Sequence, residues 1–214
     1  MKGILVKAIG DFQFRELPVK EPLPDEVLVK VEVAGMCRTD LKIIRSGHRD
    51  LVLPRIPGEE VVGVIQRKGD QAADVNEGDR VYVYPGIWCG LCAACAQGAE
   101  NLCKKMKIMG FHRDGGFAEY VTVPAQSVIK IPEGLSLEDA VFAEPLSCCL
   151  NALELGGISD GKSVAIWGGG PAGTLLARAS VAKGATAINV EIDEQRRQII
   201  DGYPTCPNRF FDIC

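Results

Sequence analysis

Four cysteines constrain this chain more than any other residues: Cys89, Cys92 and Cys95 in the run Cys89-Gly-Leu-Cys92-Ala-Ala-Cys95, then Cys103 eight residues on. Three thiolates at i, i+3 and i+6, with a fourth one short loop away, can close a tetrahedron around a single metal ion. Zinc accepts an all-sulfur shell, and such a shell leaves no open position for chemistry. The spacing predicts a structural zinc staple in a lobe spanning about residues 86–106. The competing reading, four unrelated thiols, has to treat both the count and the spacing as chance.

The rest of the composition sets bounds. The 214 residues suffice for one large domain or two modest ones, and 47% hydrophobic with 24% charged residues is an ordinary globular mixture. A net charge of −4 argues against binding a phosphate backbone through a basic surface, so nucleic acid is not an expected partner. No apolar run reaches the ~18 residues of a membrane span. The start, Met1-Lys2-Gly3-Ile4-Leu5-Val6-Lys7, reads as a short charged strand rather than a signal peptide. With nine cysteines whose main cluster is metal-spaced, the expected setting is a reducing cytoplasm.

Along the chain, the first half reads as β-rich. Val27-Leu-Val-Lys-Val-Glu-Val33 alternates apolar and charged residues as a half-buried strand does. Similar strands are expected at Val61–Gln66, Arg80–Tyr84, Ala118–Val123 and Ser127–Ile131, punctuated by Pro22, Pro24, Pro57-Gly58, Gly78 and Pro85-Gly86. From Ser136 the pattern changes. A helix over Pro145–Leu155 ends at Gly156-Gly157, a buried strand follows at Ser163–Trp167, and a glycine turn leads into a helix over Ala172–Lys183. A second buried strand at Ala187–Val190 and a helix at Asp193–Ile200 give β-turn-α-β, the opening of a doubly wound sheet. The fold class is therefore α/β with a β-rich part. A barrel-like or sandwich-like β-rich domain is expected over 1–155 and the opening of a doubly wound domain over 156–200. The tail 201–214, with two prolines and no period, fits neither.

The run Gly168-Gly169-Gly170-Pro171-Ala172-Gly173 satisfies G-x-G-x-x-G between a strand and a helix. Gly168 allows the tight turn, Gly170 lets a pyrophosphate approach the backbone, and Gly173 lets helix pack on strand. Free N–H donors at the helix start suit phosphates. Glu191, at the end of the next strand, can accept hydrogen bonds from the adenosine ribose and would repel a 2′-phosphate, which favours NAD over NADP. Arg196 is a candidate contact to the same ribose. The competing reading is a βαβ turn that binds no nucleotide.

With the cysteine quartet and the glycine turn placed, the chain resembles the zinc-dependent medium-chain alcohol and polyol dehydrogenases, most closely the sorbitol and threonine dehydrogenase branch. The likeness runs from about Lys2 to Arg197. It rests on Gly35-Met-Cys37-Arg-Thr39-Asp40, Pro57-Gly58-Glu59-Glu60, Asp79-Arg80-Val81, Asp114-Gly-Gly-Phe-Ala-Glu-Tyr120 and Glu144-Pro145-Leu146. The resemblance implies a GroES-like catalytic domain followed by a Rossmann-type domain that this chain leaves incomplete. It also implies one structural zinc, a second catalytic zinc, a small alcohol substrate, and the homo-oligomer typical of the family.

By the same resemblance, Cys37, Glu59 and Glu60 are the candidate ligands of the catalytic ion. Glu144 is an exchanging or water-linked ligand, and Cys148 falls where another branch places its third ligand. Thr39 matches the hydroxyl that takes the substrate proton, and Asp40 orients the first turn of the helix. Two positions depart from the family pattern. Glu59 stands where the family has its histidine ligand, and Lys42 stands at the relay histidine. One thiolate and two carboxylates put three negative charges around one Zn²⁺, which weakens its Lewis acidity. Lys42 can offset that charge but cannot shuttle protons near neutral pH unless burial lowers its pKa. His48 and His112 are expected on solvent-exposed loops and Cys149 in the core, with Cys206 and Cys214 accidental thiols of the tail. The expected function is NAD-linked oxidation of a secondary alcohol of polyol or amino-alcohol type. The alternative is a truncated, inactive member that holds structural zinc only.

Overall fold

The computed structural model describes residues 1–201, so Cys206, Cys214 and the rest of the expected tail lie outside the described residues. The chain divides into two compact units, the first Met1–Ala143 and the second beginning at Glu144.

In the first unit, β1 (Lys2–Ala8) and β2 (Asp11–Glu16) form an antiparallel hairpin. Sequence reading expected a strand for β1 but not β2, whose Phe12 and Phe14 are exposed and so supply no buried alternation. Next come β3 (Glu26–Gly35), the helix α1 (Arg38–Ser46), β4 (Glu60–Lys68) and β5 (Arg80–Val83). The short pair β6 (Gly86–Ile87) and β7 (Lys107–Ile108) encloses the one-turn helix α2 (Ala93–Ala96). Then follow β8 (Tyr120–Pro124), β9 (Val128–Lys130) and the short helix α3 (Leu137–Ala140). Five of these strands make one antiparallel sheet in the order β8-β3-β4-β5-β9.

Burial on both faces explains why β4 is apolar at consecutive positions. Val61 joins Val27, Val29, Ile65, Val81, Val83, Met109, Val121 and Val123 in the main core. Its neighbour Val62 turns the other way, against Tyr82, Ala140 and Val141, so the α3 segment covers the second face. β-branched valines fit this pleated, two-sided burial. Each fully buried one contributes about 1.5–3 kcal/mol of transfer free energy.

One carboxylate pins the loops that carry the candidate site. Asp114 accepts from Lys20 Nζ (2.6 Å), Arg55 Nη1 (3.1 Å) and the Ile56 N–H (3.4 Å). Beside it, the backbone N–H groups of Gly115, Gly116 and Phe117 donate to the carbonyls of Ile56, Gly58 and Pro57. The segment 55–58 is thereby laced to 114–117, which fixes where residues 59 and 60 emerge.

The second unit contains α4 (Ala143–Leu155), β10 (Ser163–Trp167), α5 (Pro171–Ala182), β11 (Thr186–Val190) and α6 (Glu194–Asp201). The division falls at the first residue of α4, not after the helix near residue 155, and Asp201 closes α6 rather than opening a tail. A contact from the buried Cys149 Sγ to the Ala172 carbonyl, 3.6 Å, ties α4 to the start of α5. As the glycine pair predicts, α4 ends with Gly157 at φ +64° and the Ile158 N–H turned back to the Leu153 carbonyl. β10 and β11 run parallel, and Ile166, Ala177 and Ala187 make the core under α5.

Candidate functional site: two donor clusters and a glycine turn

The cysteine lobe begins and ends on the β6–β7 pair, reinforced by the Met109 N–H donating to the Pro85 carbonyl at 2.9 Å. With the ends clamped, Cys89, Cys92, Cys95 and Cys103 place their sulfurs within 4.8 Å of one another. Cys92 and Cys95 sulfurs are 3.5 Å apart, those of Cys89 and Cys103 3.6 Å. A tetrahedral zinc with Zn–S near 2.3 Å needs sulfurs about 3.8 Å apart. The four thiols therefore fit the ion in number, chemistry and spacing. Backbone N–H groups, first that of Cys95, hold the Cys92 thiol down at about 6, whereas desolvation pushes Cys95 up to about 12. One member of the quartet is thus already prepared to lose its proton.

A different arrangement surrounds Cys37. Cys37 caps α1: its Sγ accepts from the Thr39 N–H (3.4 Å), and Asp40 Oδ2 accepts the Cys37 N–H (2.9 Å) in a capping box. The other oxygen, Asp40 Oδ1, accepts the Gly58 N–H at 3.0 Å. One buried carboxylate thus joins the Cys37 turn to the loop carrying Glu59 and Glu60. Burial pushes Asp40 up, against the pull of those two N–H groups. Burial also raises the Cys37 thiol, with the Glu59 and Glu60 charges adding to it. Glu60 is raised by burial and by Asp40, while its hydrogen bond with Cys37 works the other way. Glu60 and Glu59 thus both lie close enough to Cys37 to act on its thiol. Among the described residues, however, the quartet is the one group of three or more His, Cys, Asp or Glu side chains whose donor atoms converge. The other two candidates, Glu144 and Cys148, sit one turn apart on α4 in the second unit, with Cys148 exposed.

Thr39, Lys42 and Glu59 share a cavity of about 390 Å³ with Ile43, His48, Asp50, Ile108, Phe111 and His112. His48 is exposed, as expected, yet it borders this cavity and packs edge-on against Phe111, ring centroids 5.4 Å apart. His112 departs from expectation. It is half-buried because the turn after β7 folds its ring under the Ile108 N–H, which donates to Nδ1 at 3.1 Å. A larger cavity, about 740 Å³, lies by Leu5, Leu28, Arg55 and Asp114. There Lys20 and Arg55 both pair with Asp114, and Arg113 pairs with Glu26.

In the second unit, the glycine turn has the geometry its sequence implies. Gly168 sits at φ +104°, and a Cβ on Gly173 would stand 1.8 Å from the Gly168 carbonyl oxygen, so only glycine permits this approach. Gly170 is the N-cap of α5, with Pro171 at its first turn, and an added Cβ there meets open space. Glu191 is buried at the end of β11. Its Oε1 accepts the Asp193 N–H (2.9 Å) and its Oε2 the Gly169 N–H (2.7 Å). These backbone donors, Asp193 first, hold the carboxyl below its ordinary range, so it is ionised at neutral pH. Arg196 Nη1 stands 3.8 Å from Glu191 Oε2 and is largely exposed.

Sequence reasoning missed the Asp40–Gly58 bridge, the Asp114 clasp and the inward turn of His112. The Cys37-x-x-Asp40 spacing could have announced the capping box. Nothing local announces a carboxylate reaching Gly58.

Residues 23–133 match the alcohol dehydrogenase GroES-like domain. The D-altritol 5-dehydrogenase of Agrobacterium fabrum is 36% identical over 186 residues, covering 85% of this chain and 55% of that protein. The L-threonine 3-dehydrogenase of Pyrococcus abyssi is 39% identical over 188 residues, covering 86% of this chain and 54% of that protein. The crystal structure of a zinc-binding dehydrogenase of Sinorhizobium meliloti 1021 bound to NADP superposes with a TM-score of 0.92 at 36% identity, over 99% of this chain and 61% of that one. The chain spans a little over half the length of these curated relatives.

Proposed function

The chain belongs to the zinc-dependent medium-chain alcohol and polyol dehydrogenase family, and from that premise we propose an NAD-linked oxidoreductase acting on a secondary alcohol of polyol or amino-alcohol type. The observation that carries the reading is the glycine turn closed by a buried, ionised Glu191, a nucleotide platform in one chain with a Cys37–Thr39 corner. The cysteine quartet is proposed as the structural zinc site. Cys37, Glu59 and Glu60 are proposed for a catalytic ion, with Glu144 and Cys148 as the further candidates.

When bound, zinc supplies a Lewis acid for the substrate hydroxyl oxygen and NAD supplies the acceptor for the hydride. The remaining work falls to side chains. Thr39, on the cavity wall, accepts the hydrogen bond of the substrate hydroxyl and relays its proton, passing its own on to solvent water as the substrate's arrives, and α1 holds it beside Cys37 because the capping box fixes the first turn. Lys42, on the same cavity wall, stabilises negative charge developing on the substrate oxygen and offsets Glu59. Gly168, Gly170 and Gly173 admit the pyrophosphate at the start of α5. The structural relative holds NADP, but a carboxylate at Glu191 repels a 2′-phosphate, and Arg196 lies beside that carboxylate. A cytoplasmic protein and the homo-oligomer usual in the family complete the proposal. Among the described residues no helix is long and apolar enough to cross a membrane.

Titration with NADH and NADPH, read through the fluorescence of Trp167 at the end of β10, tests the platform. NADH is expected to bind at least tenfold more tightly, and equal affinities would remove the NAD assignment. Metal analysis should find one tightly held zinc per chain and a second, weaker one. NAD reduction with D-altritol, sorbitol or threonine tests the reaction itself.

A further inference from the structure

Asn189 stands inside β11 with no exposure to solvent, in a strand that is otherwise apolar around it. Ala187, Ile188 and Val190 flank it, and across the sheet it pairs with the buried Ile166. Its Nδ2 donates to the Gly168 carbonyl oxygen at 3.2 Å. That oxygen can only accept, so the group facing it is the NH₂ end of the amide. Among the described residues the other end, Oδ1, has no partner. An enclosed acceptor left idle costs stability, whereas an apolar side chain of the same shape would not. Packing alone therefore favours a leucine here, and the asparagine points to its bond with Gly168.

That bond gains its meaning beside one made by Glu191. The two residues are two apart on β11 and its end, so they share one face of the strand. Glu191 Oε2 accepts the Gly169 N–H at 2.7 Å. The Gly168 carbonyl and the Gly169 N–H belong to a single planar peptide unit, which turns as one body. One side chain holds its oxygen and the other its hydrogen. A peptide between two glycines has the widest choice of backbone angles, so little in the local chain opposes its rotation. The neighbouring groups are tied as well: the Gly168 N–H donates to the Val190 carbonyl (2.8 Å), and Thr174 Oγ1 donates to the Gly169 carbonyl (3.3 Å).

We infer that Asn189 is a positioning residue for the dinucleotide phosphates, locking the Gly168–Gly169 peptide together with Glu191 so that its oxygen stays turned away from the start of α5. The first N–H groups of α5 have no acceptor within the helix and are the donors a pyrophosphate uses. Rotation of the locked peptide would bring a carbonyl oxygen toward that anion and repel it. Enclosed as it is, Asn189 acts through Gly168 and not by contact with the nucleotide. The phosphate role rests on the nucleotide reading above, whereas the lock rests on the hydrogen bonds alone.

Asn189→Leu in the whole chain tests both parts. Without nucleotide, amide exchange at Gly169, resolved by NMR, is expected to quicken about fivefold, the effect of one hydrogen bond, with the rest of β11 unaltered. ADP should bind about fivefold more weakly than to the parent, while adenosine, which has no phosphate, changes less than about twofold. Equal weakening of ADP and adenosine would mark Asn189 as a structural residue only and overturn the inference. Unchanged exchange at Gly169 would overturn it too. Asn189→Ser, whose hydroxyl falls short of the Gly168 carbonyl, gives the same measurements where the leucine variant does not fold. The two proposals fail separately. A parent that binds neither ligand removes the nucleotide reading and the phosphate role with it, while faster exchange at Gly169 in the variant still establishes the lock. A parent that binds ADP, with a variant that binds it equally well, removes this inference and leaves the nucleotide reading standing.

Discussion

Two cysteine-bearing corners of the first unit hold their candidate metal donors in opposite ways. In the lobe, four sulfurs converge within 4.8 Å because β6 and β7 clamp both ends of a short excursion. At Cys37 the donors come from two loops distant in sequence, and Asp40 holds those loops together through backbone N–H groups. The lobe is a local device whose geometry is encoded within fifteen residues, Cys89 through Cys103. The Cys37 corner is a tertiary device, and its geometry depends on every hydrogen bond between residues 55–58 and 114–117. A site of the first kind is complete by itself and closed to substrate. A site of the second kind can keep an open side.

The largest expected effect separates the two corners directly. Chelation, or Cys103→Ser, should remove the lobe's zinc, whose apparent binding free energy in all-protein sites is about 10–16 kcal/mol. Proteolysis is then expected to cut first between residues 86 and 106, while hydrogen exchange in β3 and β4 stays protected. Cleavage spread over the whole sheet would show that the lobe is not an independent device.

Asp40→Asn comes next, because an amide side chain has one acceptor where the carboxylate uses two. Losing one N–H partner in a buried setting costs about 1–3 kcal/mol. Urea unfolding should show that loss with the tightly held zinc unchanged, and a fall in lobe zinc would mean the two corners are coupled.

A smaller effect concerns Asp114 and pH. Burial alone would raise its carboxyl, but Lys20, the Ile56 N–H and Arg55 outweigh burial and hold it below the ordinary value of 3.8. A depressed carboxylate contributes stability that is fully present above its unfolded pKa and is lost as pH falls through the lower folded one. Asp114→Asn should therefore be less stable than the parent by about 1 kcal/mol at neutral pH, for these partly exposed pairs. The two stability curves should converge below pH 3.8. Curves that stay parallel to low pH would remove the electrostatic account. Smallest of all, Arg196→Ala should change stability by less than about 0.5 kcal/mol, since its contact with Glu191 is long and largely exposed. Any weakening of NADH binding in that variant would then report contact with the nucleotide.

The sequence carries these features unequally, and the reason is their range. The bounds of the strand Ser163–Trp167 were legible to the residue, although it is not the buried strand expected, since only Ile166 in it is buried and Trp167 is exposed; the Gly157 cap and the cysteine quartet were anticipated, because each depends on neighbours a few positions away. The strand β2 was not anticipated, since an edge hairpin with exposed phenylalanines lacks the alternation that marks burial. The division at the start of α4 was misplaced because Gly156-Gly157 ends a helix without ending a unit. At the candidate site, Cys37, Thr39, Lys42 and Glu59 were named from motif resemblance, yet the cavity that joins Thr39, Lys42 and Glu59 to His48 and His112 was not. Those five residues span 74 positions, 39 to 112, and no periodicity relates them.

Glu191 carries a lesson for anyone who wishes to retune nucleotide choice. The carboxylate proposed to discriminate between dinucleotides also grips the Gly169 amide and the Asp193 amide. Swapping it for a neutral or basic residue would slacken the hinge between strand and phosphate cradle at the same moment as it admits a bulkier ribose. Selectivity and scaffolding are soldered into one side chain, so re-engineering it calls for a second substitution that restores the lost grip on the loop.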